Sequence, residues 1–195
     1  MWDCFGMVIN FVYKYNQILY YYFEMEKQGV IISGFGGVGK TYLAKKYKNV
    51  IDLESSPYKY IYHDINVKDY EALKGKPNRI PNPDYPQNYV SAIKNAAKKY
   101  DVVCVRCNGD EDVDFYDTYG LDYIVCCPTK SAYKNYAKRF KERGNSDEWI
   151  KKNKEYYKVA YERYKIFKGE KILLHEGETL EDALLKRGYK LILKD

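Results

Sequence analysis

The chain has 195 residues, of which 46% are hydrophobic and 31% are charged; this composition predicts one globular domain with a full core and excludes a disordered tail. Its net charge is +6, and residues 130–168 hold 13 Lys and Arg against five Asp and Glu. Such a basic segment favours phosphate-rich ligands, among which nucleic acid is the less favoured partner. A solvated helix face accounts for the same charges without any ligand.

The cysteines are five in number: Cys4, Cys104, Cys107, Cys126 and Cys127. An odd count without a secretory leader predicts a reduced, cytoplasmic protein and no disulfide framework. The last four have a spacing that zinc ligands can have. They also lie in or beside apolar runs typical of buried strands, where cysteine packs as a small hydrophobe, and we expect that packing role.

Residues 1–24 are rich in aromatic and aliphatic side chains, but polar residues such as Asp3 and Lys14 interrupt them. The segment therefore meets neither the requirement of a membrane span nor that of a signal peptide, and we expect no membrane partner. We interpret residues 1–24 as an extension, or as a misassigned start, before a domain that covers residues 25–195. An added helix or strand packed on that domain, or an amphipathic surface contact, is the alternative.

A glycine-rich stretch follows the β-branched run Val30-Ile31-Ile32 and fills the pattern G-x-x-x-x-G-K-[ST]. Glycines allow successive backbone N–H groups to converge on a phosphate, while Lys40 adds a positive charge. Thr41 supplies a hydroxyl suited to a magnesium ion that bridges the β- and γ-phosphates. The residues predicted to bind the nucleotide are Gly34, Gly36, Gly37, Val38, Gly39, Lys40 and Thr41.

The remaining pattern alternates strands with helices, which predicts an α/β fold with a parallel sheet and helices on both faces. The predicted strands are 30–33, which is central, 50–53, 102–105, 123–127 and 172–174, and 189–193 is a candidate edge strand. The predicted helices are 40–49, 89–100, 131–143, a long amphipathic helix behind an Asn145–Glu148 capping box, and a short helix capped by Thr179 and Asp182. The buried face of the long helix is predicted to hold Trp149, Ile150, Tyr156, Tyr157, Ala160, Tyr164 and Phe167.

The stretch from Lys74 to Asn88 contains four prolines and predicts neither a helix nor a central strand. A lid or acceptor-binding loop and a simple connection are equally consistent with it. Asp52 and Glu54 close the second predicted strand. Because they are two residues apart in extended chain, their side chains point to the same side, towards the ligand crevice of an open α/β sheet.

Four blocks of the sequence carry a family resemblance. They are Ile32-Ser33-Gly34-Phe35-Gly36-Gly37-Val38-Gly39-Lys40-Thr41, Asp52-Leu53-Glu54-Ser55-Ser56, Asn82-Pro83-Asp84-Tyr85-Pro86-Gln87-Asn88-Tyr89 and Tyr136-Ala137-Lys138-Arg139-Phe140-Lys141-Glu142-Arg143-Gly144-Asn145. Through these blocks the chain from about Met25 onwards resembles the P-loop nucleoside and nucleotide kinase superfamily, and more closely its small phage and bacterial nucleotide-kinase-like members.

The resemblance implies a three-layer P-loop NTPase fold with a five-stranded, mainly parallel sheet and a helical lid, together with ATP and Mg²⁺ as ligands. It implies that Asp52 and Glu54 engage the acceptor or the magnesium waters, and that Arg139 and Arg143 approach the transferring phosphoryl group from the lid. These two arginines are four residues apart and share one helix face, where they are otherwise ordinary surface charges.

One position departs from the family pattern, because the third predicted strand runs into Arg106 where a Walker B strand usually ends in Asp. Some nucleotide kinases place an arginine near this point to hold the acceptor phosphate; pairing with the nearby acidic residues is an equal alternative. The leading hypothesis is a kinase that moves the γ-phosphoryl group of ATP to a nucleoside or nucleoside monophosphate. An NTP-binding switch or regulatory ATPase is the second hypothesis, and a polynucleotide end kinase is the third.

Overall fold

The computed structural model describes residues 28–62, 79–107 and 113–195, with the backbone alone described for 113–115. The predicted extension at residues 1–24 and the first part of the proline-rich stretch lie outside these ranges. Within them, no helix is long and apolar enough to cross a membrane.

The five predicted core strands are confirmed. They are β1 (Val30–Gly34), β2 (Val50–Leu53), β5 (Val102–Arg106), β6 (Ile124–Pro128) and β7 (Lys171–Leu174). They form one parallel sheet in the order β2-β5-β1-β6-β7. Two short strands, β3 (Tyr60–Tyr62) and β4 (Arg79–Pro81), form a separate antiparallel pair. β1 is central, as predicted, because its β-branched residues fit a strand that is covered on both faces.

Eight helices lie among the described residues. They are α1 (Lys40–Lys46), α2 (Ser56–Lys59), α3 (Gln87–Ala97), α4 (Val113–Thr118), α5 (Lys130–Tyr133), α6 (Tyr136–Glu142), α7 (Asp147–Ile166) and α8 (Leu180–Lys186). The capping box of Thr179 and Asp182 at the start of α8 is confirmed. The candidate edge strand at 189–193 is reduced to an isolated bridge between Tyr47 and Leu193.

Two predictions about the helices between β6 and β7 are wrong. The predicted helix 131–143 is interrupted after Tyr133, because Lys134 and Asn135 donate backbone hydrogen bonds three residues back in a 3₁₀-type turn. The cap of α7 is Ser146, whose hydroxyl accepts from the Trp149 amide, and not Asn145. Asn145 instead belongs to the end of α6. Its backbone amide donates to the Phe140 carbonyl, and the Gly144 amide donates to the Lys141 carbonyl, which is a Schellman motif.

The sheet is covered on both faces, which makes three layers. One face of the strands, with Ile32 and Cys104, packs against α1, α5, α6, α7 and α8. The other face, with Ile31 and Val103, packs against α3 and α4. α7 contacts both clusters, since Tyr157 and Ala160 belong to the first and Phe167, just beyond its end, contacts the second. The helices that follow β1 and β5 therefore lie on opposite faces, and a crevice opens between the carboxyl ends of these neighbouring strands.

Candidate functional site

The glycine-rich loop lies at this crevice, between the end of β1 and the start of α1. A cleft of about 310 Å³ opens beside it, a size at the lower end of small-molecule sites. The cleft brings together residues from β1, β2, β5 and α7. Of the residues predicted as a site, it is lined by Gly34, Gly36, Lys40, Asp52, Glu54 and Arg106.

The loop backbone has the conformation that glycine permits. Gly37 and Gly39 have φ of 87° and 108°, which disfavours any other residue. A Cβ on Gly37 would lie 2.9 Å from the ring of Phe140, so α6 packs directly on the loop. Among the described residues, the amides of Gly36, Gly37 and Gly39 have no hydrogen-bond acceptor. Because Gly36 and Gly37 are only half-buried, their amides remain available to an anion.

Lys40 folds back over the same loop. Its Nζ donates to the carbonyl of Gly34 at 2.8 Å and to that of Phe35 at 3.3 Å. An ammonium group has three N–H donors, so these two carbonyls leave one of them unused. The positive charge is therefore held at the wall of the cleft and can bind a phosphate without moving far.

Thr41 and Asp52 meet at the neighbouring position. The Thr41 hydroxyl donates to Asp52 Oδ2 at 2.7 Å. Because Thr41 is the donor, the lone pairs of its oxygen are not used in this hydrogen bond. The other carboxylate oxygen, Asp52 Oδ1, is buried and has no hydrogen-bond partner among the described residues. A hydroxyl and a carboxylate oxygen are ligands that Mg²⁺ accepts, so this pair fits the predicted magnesium site.

Beyond Asp52, the end of β2 presents two more polar side chains to the cleft. Ser55 is only 1% exposed, yet its Oγ has no hydrogen-bond partner in the described part of the chain. Glu54 lines the cleft and makes no ion pair with a described residue. Unsatisfied buried oxygens are costly, so this wall is suited to bind hydroxyl or amino groups of a ligand.

Arg106 lies at the end of β5 on the cleft wall, with an exposed side chain. Its backbone is fixed, because the carbonyl accepts from the Tyr116 hydroxyl at 2.9 Å. Its predicted role on the acceptor remains a prediction. The alternative pairing with the first acidic residues after it involves positions outside the described ranges.

The two lid arginines are not brought into the cleft. Arg139 lies over the ring of Tyr136, with 5.2 Å between the guanidinium carbon and the ring centroid, and Arg143 is exposed at the end of α6. Their helix still contacts the loop, since Tyr136 and Phe140 surround Gly37. Arg139 and Arg143 therefore belong to a helix that packs on the glycine-rich loop, but neither side chain lines the cleft in this conformation.

The opposite wall of the cleft is one face of α7, and the sequence prediction missed it. It consists of Trp149, Lys152, Asn153, Tyr156 and Ala160. Trp149 and Tyr156 were predicted to be buried but are 42% and 39% exposed, which corrects that assignment. The 3- and 4-residue spacing of the wall was visible in the sequence, but the same spacing is typical of a core-facing stripe, so it did not distinguish a cleft from a core.

The described cysteines do not form a metal-binding group. Cys104, Cys107, Cys126 and Cys127 are free thiols, and burial raises the pKa of all four, that of Cys104 to about 12. A raised pKa disfavours the thiolate that zinc requires. No group of three or more His, Cys, Asp or Glu side chains able to hold a metal occurs in the described ranges.

The cleft thus adjoins a glycine-rich loop with unpaired amides and combines a carboxylate that accepts from a threonine hydroxyl, a polar wall and an aromatic wall. Comparison with known proteins does not identify it. No protein-family model matches the chain, and no curated protein matches it.

Proposed function

We propose that this chain is a P-loop phosphotransferase that moves the γ-phosphoryl group of ATP to a nucleoside or nucleoside monophosphate. The observation that carries the proposal is the arrangement at the end of β1. There Gly36, whose amide has no acceptor among the described residues, lines one cleft together with Lys40 and Asp52, and Asp52 accepts from the Thr41 hydroxyl. In this proposal the three-layer sheet is a P-loop NTPase fold, and α6 with its flanking turns is the helical lid.

The donor half of the reaction uses the loop. Its unpaired amides and Lys40 bind the β- and γ-phosphates, and they are fixed before the ligand arrives, which lowers the cost of reorganisation. Thr41 and Asp52 would hold a magnesium ion, which would neutralise negative charge on the phosphates. These residues account for binding of any nucleoside triphosphate.

The acceptor half uses the wall after β2. An oxygen of the acceptor, which is a hydroxyl oxygen in a nucleoside and a phosphate oxygen in a monophosphate, forms a bond to the γ-phosphorus while the bond from the γ-phosphorus to the β–γ bridging oxygen breaks, so that ADP leaves. When the attacking group is a hydroxyl, Glu54 is the carboxylate that receives its proton, because Asp52 is already engaged by Thr41. Arg106 binds the acceptor. After α6 moves towards the cleft, Arg139 and Arg143 balance the negative charge of the transferring group, and together they contribute about 10³-fold in rate.

The test is a panel of acceptors incubated with γ-labelled ATP and Mg²⁺. We expect label to appear on one class of nucleoside or nucleoside monophosphate, and to disappear when Mg²⁺ is chelated. The proposal is contradicted if no nucleoside or nucleoside monophosphate gains label while ATP binds normally.

A second function, an NTP-binding switch or regulatory ATPase, is favoured by two observations. Arg139 and Arg143 do not line the cleft, and the third core strand ends in Arg106 instead of the Asp of a Walker B strand. In that case ATP is hydrolysed slowly, and the rate does not change when any acceptor is added.

A third function, an end kinase for DNA or RNA, is favoured by a basic groove between α5 and α7. Lys130, Lys134, Lys154 and Lys158 line it together with tyrosine rings. Oligonucleotides in the panel distinguish this function, since their binding weakens steeply with salt when several phosphates are contacted.

A further inference from the structure

The α7 wall of the cleft is the most prominent feature without a role in the proposed chemistry. Three side chains of this helix face, Trp149, Lys152 and Tyr156, line the cleft and form the α7 wall. The Trp149 indole is 42% exposed, and its exposed part faces the cleft. Its position opposite the polar wall after β2 indicates that it contacts a ligand.

Trp149 is held in place although it is exposed. Its ring packs edge-to-face on Phe140, with centroids 5.0 Å apart, and Phe140 is itself buried against Gly37. One side of the indole is therefore fixed by the packing behind the loop, while the rest of the ring is available to the cleft. A rigid exposed aromatic ring is a stacking surface, because little conformational entropy is lost when a second ring covers it.

The position of α7 over the loop is also fixed. Asn153 is 9% exposed and accepts from the Tyr133 hydroxyl at 3.1 Å, and its amide nitrogen would lie 3.7 Å from a Cβ on Gly36. Trp149 lies one turn before Asn153 and Tyr156 one turn after it, so both rings share the helix face that adjoins the loop. Lys152 projects between them.

The charges of the cleft indicate the rest of the ligand. Lys40 is occupied by the donor phosphates in the proposed reaction, which leaves Arg106 and Lys152 as cations that make no ion pair with a described residue. Two further cations favour an acceptor that already carries a phosphate. The unpartnered Ser55 Oγ accepts a hydrogen bond, which suits a hydroxyl group of a ribose.

We propose that the α7 wall recognises the base of the acceptor, and that the acceptor is a nucleoside monophosphate whose base stacks on Trp149. Lys152, with Arg106, binds the acceptor phosphate, and Tyr156 contacts the far end of the ligand. This inference rests on the proposed function above, since it assigns the substrate class of the same cleft. Base stacking on an aromatic side chain is strong enough to determine acceptor choice.

The experiment has a binding arm and a kinetic arm. The sequence contains two tryptophans, Trp2 and Trp149, so a Trp2→Phe chain reports on Trp149 alone. We expect nucleoside monophosphates to quench its fluorescence and ribose 5-phosphate, which lacks a base, to leave it unchanged. Equal quenching by both compounds contradicts stacking.

In the kinetic arm, Trp149→Ala raises the KM for the monophosphate about tenfold or more and changes the KM for ATP by less than about twofold. Trp149→Phe retains most of the affinity, because a ring remains. Tyr42→Ala, which removes another exposed aromatic side chain, is the matched control and leaves both constants unchanged. Lys152→Ala weakens binding of the monophosphate more than binding of the nucleoside. Lys151→Ala, on the same helix, changes neither affinity.

The outcomes separate the inference from the function beneath it. If label is transferred but Trp149→Ala leaves the acceptor KM unchanged, the inference fails and the kinase assignment stands. If Trp149→Ala raises the KM for ATP alone, the ring binds the donor base and the inference also fails. If monophosphates quench Trp149 but no acceptor is phosphorylated, the base-binding wall stands and the kinase assignment fails.

Discussion

Two polar regions of this molecule differ in how completely their groups are paired. At the carboxyl edge of the sheet, the loop amides, Asp52 Oδ1 and Ser55 Oγ have no partners among the described residues. At the junction of α1 and α8, Glu181 binds both Lys46 and Tyr47. The same kinds of groups are thus left unsatisfied in one place and fully engaged in the other.

This difference distinguishes a binding site from a structural junction. Buried polar atoms without partners reduce stability, so a chain retains them where a ligand supplies the missing bonds. The Glu181 cluster, by contrast, joins Lys46 to a residue 135 positions later in the sequence, and its residues do not line the cleft beside the glycine-rich loop. Substitutions at the carboxyl edge should therefore reduce activity, and substitutions at the α1–α8 junction should reduce stability.

The largest expected effect is that of Lys40→Ala. Removal of the ammonium group deletes a donor aimed at the transferring phosphates, and we expect turnover to fall about 10³-fold or more. The fold should remain intact, because the side chain contacts only the loop carbonyls of Gly34 and Phe35. Circular dichroism checks the fold, and steady-state kinetics measure the turnover. Lys45→Ala, on the exposed side of the same helix, is the control, and full activity of Lys40→Ala would refute the assignment.

The next effect concerns the lid. Arg143→Ala should lower kcat by about 10²-fold and leave the ATP affinity nearly unchanged, because an arginine that arrives with lid closure acts on the transition state more than on the bound ground state. The measurement is kcat compared with the dissociation constant of ATP. Lys138→Ala removes another exposed charge from α6 and is the control. Equal losses of turnover and affinity would make Arg143 a simple binding residue.

A smaller effect is expected for Asp52→Asn. The amide keeps the shape of the side chain and an oxygen that can accept from Thr41, but it loses the negative charge that favours a cation. We expect half-maximal activity to require about tenfold more Mg²⁺. A magnesium titration at saturating ATP checks this, and an unchanged titration would remove Asp52 from the metal site. Ser56→Ala, on the same cleft wall, should leave the titration unchanged.

The sequence was sufficient for the sheet and for the position of the glycine-rich loop. Five β-branched or apolar runs became the five parallel strands, since such runs are typical of a sheet covered on both faces. The loop lies between a strand and a helix, as its pattern predicted, and Lys40 lines the cleft beside it. The binding of a nucleotide there stays a prediction.

The sequence was insufficient where one local pattern has two tertiary outcomes. The helical stripe with Trp149 and Tyr156 predicted a core face, but α7 runs past the open cleft at that point and the rings remain exposed. The sequence did not predict the burial of Ser55, because a serine directly after a strand is as common on the surface as in the interior. Asn145 and Ser146 are both good caps, and only the Schellman ending of α6 decided between them.

The smallest expected effect is on stability and tests the paired region. Glu181→Gln should lower the free energy of unfolding by about 1 kcal/mol, or the melting temperature by about 2–4 °C, and leave kcat unchanged. The Lys46 ammonium, at 2.7 Å, and the Tyr47 hydroxyl hold the pKa of Glu181 below its usual value. The carboxylate is therefore bound more tightly in the folded state. Its contribution is present above the unfolded pKa of about 4.3 and disappears as the pH falls through the lower folded value.

Denaturant unfolding of the wild type and of Glu181→Gln, at pH 7 and at about pH 3, measures the difference in their free energies of unfolding. The gap between wild type and Glu181→Gln should be present at pH 7 and shrink in acid, because protonation of Glu181 then removes the same charge from the wild type. Glu142→Gln is the control, since its ion pair with Lys138 spans 3.9 Å between exposed side chains and should contribute little at either pH. A gap that stays constant with pH would mean that packing, and not charge, joins α8 to α1. If Glu181→Gln reduced turnover as much as the cleft variants, the two regions would not be separable into a binding site and a structural junction.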